Sequence, residues 1–453
     1  MDRSYQLGSE KMIKLLFRLS TPAIVAMMVN AFYNIIDTIF IGRGVGYLGI
    51  GGLTVAFPVQ MAIIALAQMI GIGAASAASR NLGAKDHEKA KQVAGNSYFS
   101  VVLMGILIFI AGTIFMVPIL RMFGATDTLL PYAAEYLQVI LIGSIYFPFV
   151  VNANNLIRAE GNARVAMISM ILGAVLNIIL DYIFIFPLNM GIRGAALATI
   201  TSQFCSLLYV LYYFYGDFSM LKVKLEHLKP DWKIQIEILT VGTSSFARQV
   251  AGSLMAIALN NSLAFYGGDI ALSVFGIVQR VMMFLFMPMF GIVQGMQPIA
   301  GYNYGAGNME RVKQVVKLAT IGITTMAVTS TIFGQVFPGP IVRLFNDTPE
   351  VVELGITALR ISIAMIPVVG IQIVGSALFQ SLGKPIPALI LTISRQVLFF
   401  IPLVLIIPRV TGLGLLGIWI SFPLADFLST IFTSFWMKKE MKLLDKKSKE
   451  AKV

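Results

Sequence analysis

Apolar stretches of about 20 residues recur along the whole chain, and this length as an α-helix crosses the ~30 Å hydrocarbon layer of a bilayer. Lipid offers the backbone no hydrogen-bond partner, so such stretches must be helical. Of the 453 residues, 57% are hydrophobic and only 12% charged, which excludes a soluble globular protein. We therefore predict an all-α integral membrane fold. The twelve predicted transmembrane helices lie at residues 16–37, 50–79, 96–119, 132–156, 164–186, 192–215, 235–265, 271–298, 313–337, 352–380, 386–408 and 413–437.

The positions of lysine and arginine predict the orientation of these spans. Of the 34 basic residues, 25 lie at the N-terminus, in the even-numbered connections or in the C-terminal tail. Cytoplasmic loops are enriched in basic residues, so both termini are expected in the cytoplasm of a multi-pass protein of the cell membrane. The net charge of +12 reflects this asymmetry. The bilayer is therefore the expected partner, and no nucleic acid is.

Three sequence blocks repeat at one constant offset. LGAKDHEKAKQV from Leu82 resembles YGAGNMERVKQV from Tyr304, RMF at Arg121 resembles RLF at Arg343, and the block around Gly161 resembles that around Gly383. The chain is thus predicted to be a duplication of six spans, with both halves in the same orientation. The expected divisions are an N-terminal six-helix lobe, a cytoplasmic linker, a C-terminal six-helix lobe and a basic cytoplasmic tail, at 1–215, 216–234, 235–437 and 438–453.

Few residues suit catalysis or structural metal binding. Cys205 is the only cysteine, and the two histidines, His87 and His227, fall in charged loops. The sequence also lacks the GxxxxGK[ST] phosphate-binding pattern. We therefore expect no enzyme activity, no cofactor and no dedicated metal site.

Two acidic residues lie where charges are costly. Asp37 follows Asn30, Tyr33 and Asn34 at helical spacings that place all four on one face of the first span. In the fifth span Asn177 and Asp181 are likewise four residues apart. Ionisable groups in membrane helices usually face a cavity or a partner. If the two faces meet, the carboxyls form a pocket for a proton or a sodium ion; the simpler alternative is that Asp37 caps a loop at the wet end of its span.

The second half carries arginines in or near its spans instead of these acids. They are Arg248, Arg280, Arg360 and Arg395. Asp426 is their only deep carboxylate neighbour, and Arg360 and Arg395 are the candidates for an ion pair with it. Polar and methionine side chains elsewhere are candidates for the lining of a substrate cavity. The complete predicted lining consists of Asn30, Tyr33, Asn34, Gln60, Gln68, Asn154, Arg248, Gln249, Gln279, Met283 and Met287.

Two like-oriented six-helix halves indicate a transporter, and the major facilitator design fits that layout as well. Specific motifs distinguish between these two designs. The sequence resembles the multidrug and toxic compound extrusion (MATE) family, in its DinF- and MepA-like branch, in the motifs LSTPAIVAMMVNAFYNIIDTIFIG, RAEGN, NIILDYIFIF and GIVQGMQPIAGYNYGAGN. The resemblance covers nearly the whole chain. It implies a V-shaped pair of six-helix bundles, a cation site at Asp37, Asn177, Asp181 and Thr199, and a bend of the first helix at Pro22.

The predicted function is therefore export of drugs or other small organic molecules by a cation-coupled antiporter, with a proton or sodium as coupling ion. We also expect a monomer. The arginines of the second half favour an alternative function with the same fold, namely export or flipping of an anionic or lipid-linked metabolite. An ATP-driven pump is the third alternative, which the missing phosphate-binding motif disfavours.

Overall fold

The computed structural model describes residues 3–216 and 218–450. Within these residues the secondary structure is helical, and no β-strand occurs. The predicted all-α fold is therefore confirmed. The helices of the first half are α1 (Arg3–Ser9), α2 (Met12–Gly44), α3 (Tyr47–Gly83), α4 (His87–Ile114), α5 (Met116–Met122), α6 (Leu130–Gly143), α7 (Phe147–Ala159), α8 (Ala163–Ile185) and α9 (Gly191–Tyr215).

The second half begins after a 3-10 turn at Leu225–Leu228. Its helices are α10 (Trp232–Gly305), α11 (Met309–Val336), α12 (Pro338–Arg343), α13 (Pro349–Ile363), α14 (Ile366–Ser381), α15 (Pro385–Ile393), α16 (Ile401–Val410) and α17 (Leu415–Glu450). A π-helical turn at Ser394–Phe400 joins α15 to α16. From residue 438 to Glu450 the predicted tail continues α17 as a helix.

The described helices account for the twelve predicted spans. Nine helical segments among the described residues are long and apolar enough to cross a membrane, and two bent pairs, α6 with α7 and α13 with α14, bring the number to eleven. The twelfth comes from α10, which is interrupted at Gly268 by φ 59° and ψ −152°. The bent pairs turn by 50° and 49°. In each pair the second helix has proline at its second residue, Pro148 or Pro367, where a missing N–H costs nothing.

The duplication is visible in the local backbone as well as in the sequence. Lys85 and Gly307, which occupy matching places in the repeated blocks, both have positive φ, at 62° and 73°. The next residues, Asp86 and Asn308, cap α4 and α11 with nearly identical backbone angles. Each cap side chain accepts a hydrogen bond from the backbone N–H three residues later, at 3.0 and 3.2 Å. The two blocks thus encode the same turn and helix start.

By its contacts the chain divides into two compact units. The first consists of Met1–Gln6 and Val25–Gly242, and the second of Leu7–Ile24 and Thr243–Val453. The first unit therefore includes the predicted linker and the start of α10. Its core forms where α3, α6 and α9 pack together. Small residues let α3 approach α10 closely, because a Cβ atom on Gly73 would lie 2.0 Å from the carbonyl oxygen of Ile238.

Candidate functional site

A polar face on α2 enters the first unit. Asn30, Tyr33, Asn34 and Asp37 follow one another at helical spacing, and Asn34 donates its side-chain N–H to the backbone oxygen of Asn30 at 2.7 Å. Asn30 and Asn34 are exposed, whereas Asp37 is only 9% exposed. The Oδ1 atom of Asp37 has no hydrogen-bond partner among the described residues. A charge in that position requires compensation from a neighbour.

The neighbour is Asp181, which is fully buried on α8. The carboxyl groups of Asp37 and Asp181 lie within hydrogen-bond reach of each other. Oδ1 of Asp181 also lacks a hydrogen-bond partner. In the described part of the chain, no lysine or arginine forms an ion pair with either carboxyl. The structure thus brings the two predicted acids together in a site without a cation of its own.

Asn177 and Thr199 complete this group. The amide orientation of Asn177 that satisfies both ends has its nitrogen donating to Oδ2 of Asp181 at 3.1 Å and its oxygen accepting from the backbone N–H of Thr199 at 3.2 Å. Asn177 is one turn before Asp181 on α8, and Thr199 lies on the adjacent α9. The carboxylates and the Thr199 hydroxyl offer oxygens, which are the ligands that hard cations prefer, whereas Asn177 in this orientation holds Oδ2 of Asp181 in place.

Two tyrosines lie near the acid pair. Tyr33 lies within electrostatic range of both carboxyls, and so does Tyr136 on α6, which accepts a hydrogen bond from the side chain of Gln60 at 2.9 Å. Gln60 was predicted as cavity lining, whereas Tyr136 was not predicted at all. Tyr136 is one aromatic residue in an apolar run, and nothing in the neighbouring sequence predicts that it lies near the acid pair. Its role depends on α6 packing against α3.

The remaining lining candidates in the first unit lie in other networks. The side chain of Asn155 donates to Oε1 of Gln68 at 3.0 Å, and Arg158 donates to Oδ1 of Asn155 at 2.8 Å. Asn154 is buried, and its Oδ1 has no partner among the described residues. Pro22 lies inside α2, whose helical assignment runs unbroken from Met12 to Gly44, and the bend at this proline stays a prediction.

The second unit contains the other predicted residues. The Arg248 guanidinium lies 5.7 Å from the centre of the Phe290 ring, and no described carboxylate forms a salt bridge with it. Gln249, Gln279 and Met283 are exposed, and Met287 is partly buried. Their place in one cavity with the first-unit residues stays a prediction.

Asp426 is fully buried in the second unit, and Arg395 donates its Nε–H to it. Of the two candidate arginines, Arg395 therefore forms the ion pair. Arg360 instead contributes its backbone oxygen, which accepts a hydrogen bond from Gln335 at 2.7 Å. Removal of either member of such a pair would leave a buried charge without compensation.

His227 lies in the charged connection between α9 and α10, as predicted, and is only 3% exposed. Glu88 and Glu226 place carboxylate oxygens near its ring, in an arrangement that could hold a metal. However, Nδ1 of His227 accepts the backbone N–H of Lys224 at 3.0 Å. Nε2 then carries the ring hydrogen and donates it to Glu88 at 2.6 Å, so neither ring nitrogen has a lone pair left for a metal.

Duplicated helical halves that place buried polar groups among apolar spans define a multi-pass membrane transporter of small molecules. The family model described as MatE matches residues 22–183 and, a second time, residues 245–406. The chain belongs to this family, the multidrug and toxic compound extrusion transporters.

Known proteins similar to this chain agree with that assignment. The multidrug export protein MepA of Staphylococcus aureus (strain NCTC 8325 / PS 47) is 27% identical over 414 residues, which are 91% of each protein. A crystal structure of a MATE protein in the bent conformation superimposes with a TM-score of 0.94 at 30% identity and covers 99% of both chains. A transporter of the MOP superfamily from Pyrococcus furiosus Vc1, whose binding pocket is described as having reverse polarity, superimposes with a TM-score of 0.92 at 30% identity. The match covers 97% of this chain and 98% of that transporter's chain. The predicted family and fold class are confirmed.

Proposed function

We propose that this protein exports drugs or other small organic molecules across the plasma membrane in exchange for a proton or a sodium ion. The observation that carries the proposal is the proximity of the carboxyl groups of Asp37 and Asp181 in a buried site, where no described lysine or arginine pairs with them. Two carboxylates in contact repel each other unless a cation neutralises them. The name of MepA supports export of multiple drugs as the task.

Coupling follows from a difference in affinity between conformations. A cation bound at Asp37, Asn177, Asp181 and Thr199 stabilises the conformation in which these four groups are together. Substrate binding favours another conformation, and each ligand shifts the equilibrium only by its own difference in affinity between the two. Release of the cation on one side and of the substrate on the other then gives antiport. We further propose a monomer with both termini in the cytoplasm, as the distribution of basic residues indicates.

The test is substrate transport in proteoliposomes under separately imposed proton and sodium gradients. Asp37→Asn and Asp181→Asn each remove one carboxylate while keeping the side-chain shape, and we expect each to abolish gradient-driven transport. Asp269→Asn is the matched control, since Asp269 is an exposed acid beside the break in α10. Full transport by either site variant would refute the mechanism, and the gradient that drives the wild type identifies the ion.

A second candidate function is export or flipping of an anionic or lipid-linked metabolite. It is favoured by Arg248, a partly buried arginine that pairs with no carboxylate among the described residues, and by the similarity to the Pyrococcus furiosus transporter whose binding pocket has reverse polarity. A panel of anionic and cationic dyes separates the two candidates. If the cargo is anionic, Arg248→Gln lowers transport of anionic dyes selectively, whereas Arg343→Gln, at an exposed position in the same unit, leaves it unchanged.

A further inference from the structure

A groove in the first unit lies beside the connecting segment, which we define as residues 218–231 between α9 and α10. Its volume is about 650 Å³, and residues of α4, α7, α9 and the connecting segment line it. The α4 wall consists of the buried Tyr98 and of Phe99, Val102, Leu103 and Ile106, which share one helical face and are all exposed. This apolar wall belongs to a membrane-spanning helix. Bilayer lipid is therefore the medium that contacts it.

The start of the connecting segment is fixed by Glu160, which follows α7 and is only 2% exposed. Oε1 of Glu160 accepts hydrogen bonds from the Ser219 hydroxyl at 2.5 Å and the Leu221 backbone N–H at 3.3 Å. Oε2 accepts from the Tyr213 hydroxyl at 3.0 Å and the Met220 N–H at 3.2 Å. Four donors on one buried carboxylate determine where the groove wall begins.

The end of the segment is fixed against α4. The ring of His227 contacts Glu88, and the side chain of Asn96 donates to the backbone oxygen of Lys229 at 3.2 Å. The Asn96 side chain also accepts the backbone N–H of Asp231 at 2.8 Å. The part of the segment that lines the groove is therefore held at both ends by buried polar contacts. The groove is a built feature of the fold and not a loose loop.

Two lysines on this held stretch give the groove a charged rim. Lys222 and Lys224 line the groove and are both exposed. Nζ of Lys224 lies 3.6 Å from Glu226, in an exposed ion pair of the kind that contributes little stability. Lysine binds phosphate as a point charge, and basic residues at a membrane surface attract anionic lipids. The rim therefore complements a negatively charged headgroup.

We propose that this groove binds an anionic phospholipid from the surrounding bilayer. One acyl chain lies along the α4 wall, and the phosphate contacts Lys222 and Lys224. The lipid thereby contacts the segment that joins the two halves of the duplication. This inference is independent of the ion site at Asp37.

The test is native mass spectrometry of the purified full-length protein titrated with phosphatidylglycerol or phosphatidylcholine. We expect the wild type to retain phosphatidylglycerol in preference to phosphatidylcholine. Lys222→Gln combined with Lys224→Gln should weaken phosphatidylglycerol binding roughly 30-fold, given the contribution of each lysine near an anionic headgroup. Lys229→Gln combined with Lys233→Gln is the matched control, because these lysines carry the same charge but do not line the groove.

Equal binding of the two lipids by the wild type, or an equal loss in the control pair, would overturn the proposal. Ile106→Trp provides an independent arm, since it fills the groove and leaves the lysines in place. We expect it to displace phosphatidylglycerol while the elution profile and melting temperature stay those of a folded protein. Undiminished binding by a folded Ile106→Trp variant would place the lipid elsewhere. Displacement of the lipid by a transported dye would make the groove a substrate site and would equally overturn the proposal.

Discussion

Replacing Glu160 by glutamine removes a buried charge and keeps the shape of the side chain. Burial raises the pKa of Glu160 from its ordinary value of 4.5 to about 7, although its four hydrogen bonds favour the charged form. Since one pKa unit corresponds to about 1.36 kcal/mol, ionised Glu160 costs the folded protein about 3 kcal/mol. In the glutamine variant this pH-dependent cost is absent, but the amide nitrogen cannot accept, so the backbone N–H of Met220 or Leu221 that faces it loses its acceptor at every pH.

The sign of the pH dependence follows from proton binding. Below pH 4.5 the carboxyl is protonated in the folded and the unfolded chain alike, and the stability that it contributes is fully present. As the pH rises, the unfolded chain ionises first, so the free energy of unfolding falls until the folded protein also ionises at about pH 7. About 2 kcal/mol of this loss falls between roughly pH 5.5 and 8.5.

The assay is the apparent melting temperature in detergent, measured for both proteins across that pH range. We expect the wild type to lose a few degrees of melting temperature relative to Glu160→Gln from the acidic to the alkaline end of this range, on top of a constant offset from the acceptor that glutamine lacks. Glu226→Gln, an exposed change on the same connecting segment, should follow the wild type throughout. Parallel curves for Glu160→Gln and the wild type would refute the reasoning.

Three further variants test other parts of the structure. Asp426→Asn strands the charge of Arg395 and should cost about 3–5 kcal/mol, whereas leucine at both positions should recover most of that loss in thermal unfolding. Gly73→Ala forces α3 away from the Ile238 carbonyl and should cost about 1–3 kcal/mol, seen as lower yield and melting temperature; an unchanged melting temperature would disprove the close approach. Thr199→Val should weaken binding of the coupling ion by up to about tenfold while the fold stays intact, and the ion-concentration dependence of transport measures this change.

Local patterns in the sequence predicted much of the fold. The length and polarity of each apolar stretch predicted the spans, because a bilayer imposes the same requirement on every crossing segment. The repeated blocks predicted the duplication, which recurs in the matching caps at Asp86 and Asn308. Helical spacing placed Asp37 on one face with Asn34 and Asn30. None of these inferences required knowledge of which helices touch.

Helix packing decided the rest. The sequence offered Arg360 and Arg395 equally as partners of Asp426, and only the packing of the π-helical turn against α17 selects Arg395. Tyr136 joins the acid pair because α6 packs on α3, and His227 is buried because the connecting segment packs on α4. Composition and periodicity predict which residues share a face of one helix, but they do not predict which other helix packs against that face. The contact between Asp37 and Asp181 depends on how α2 and α8 are rotated and placed, which the summed packing of the whole unit determines.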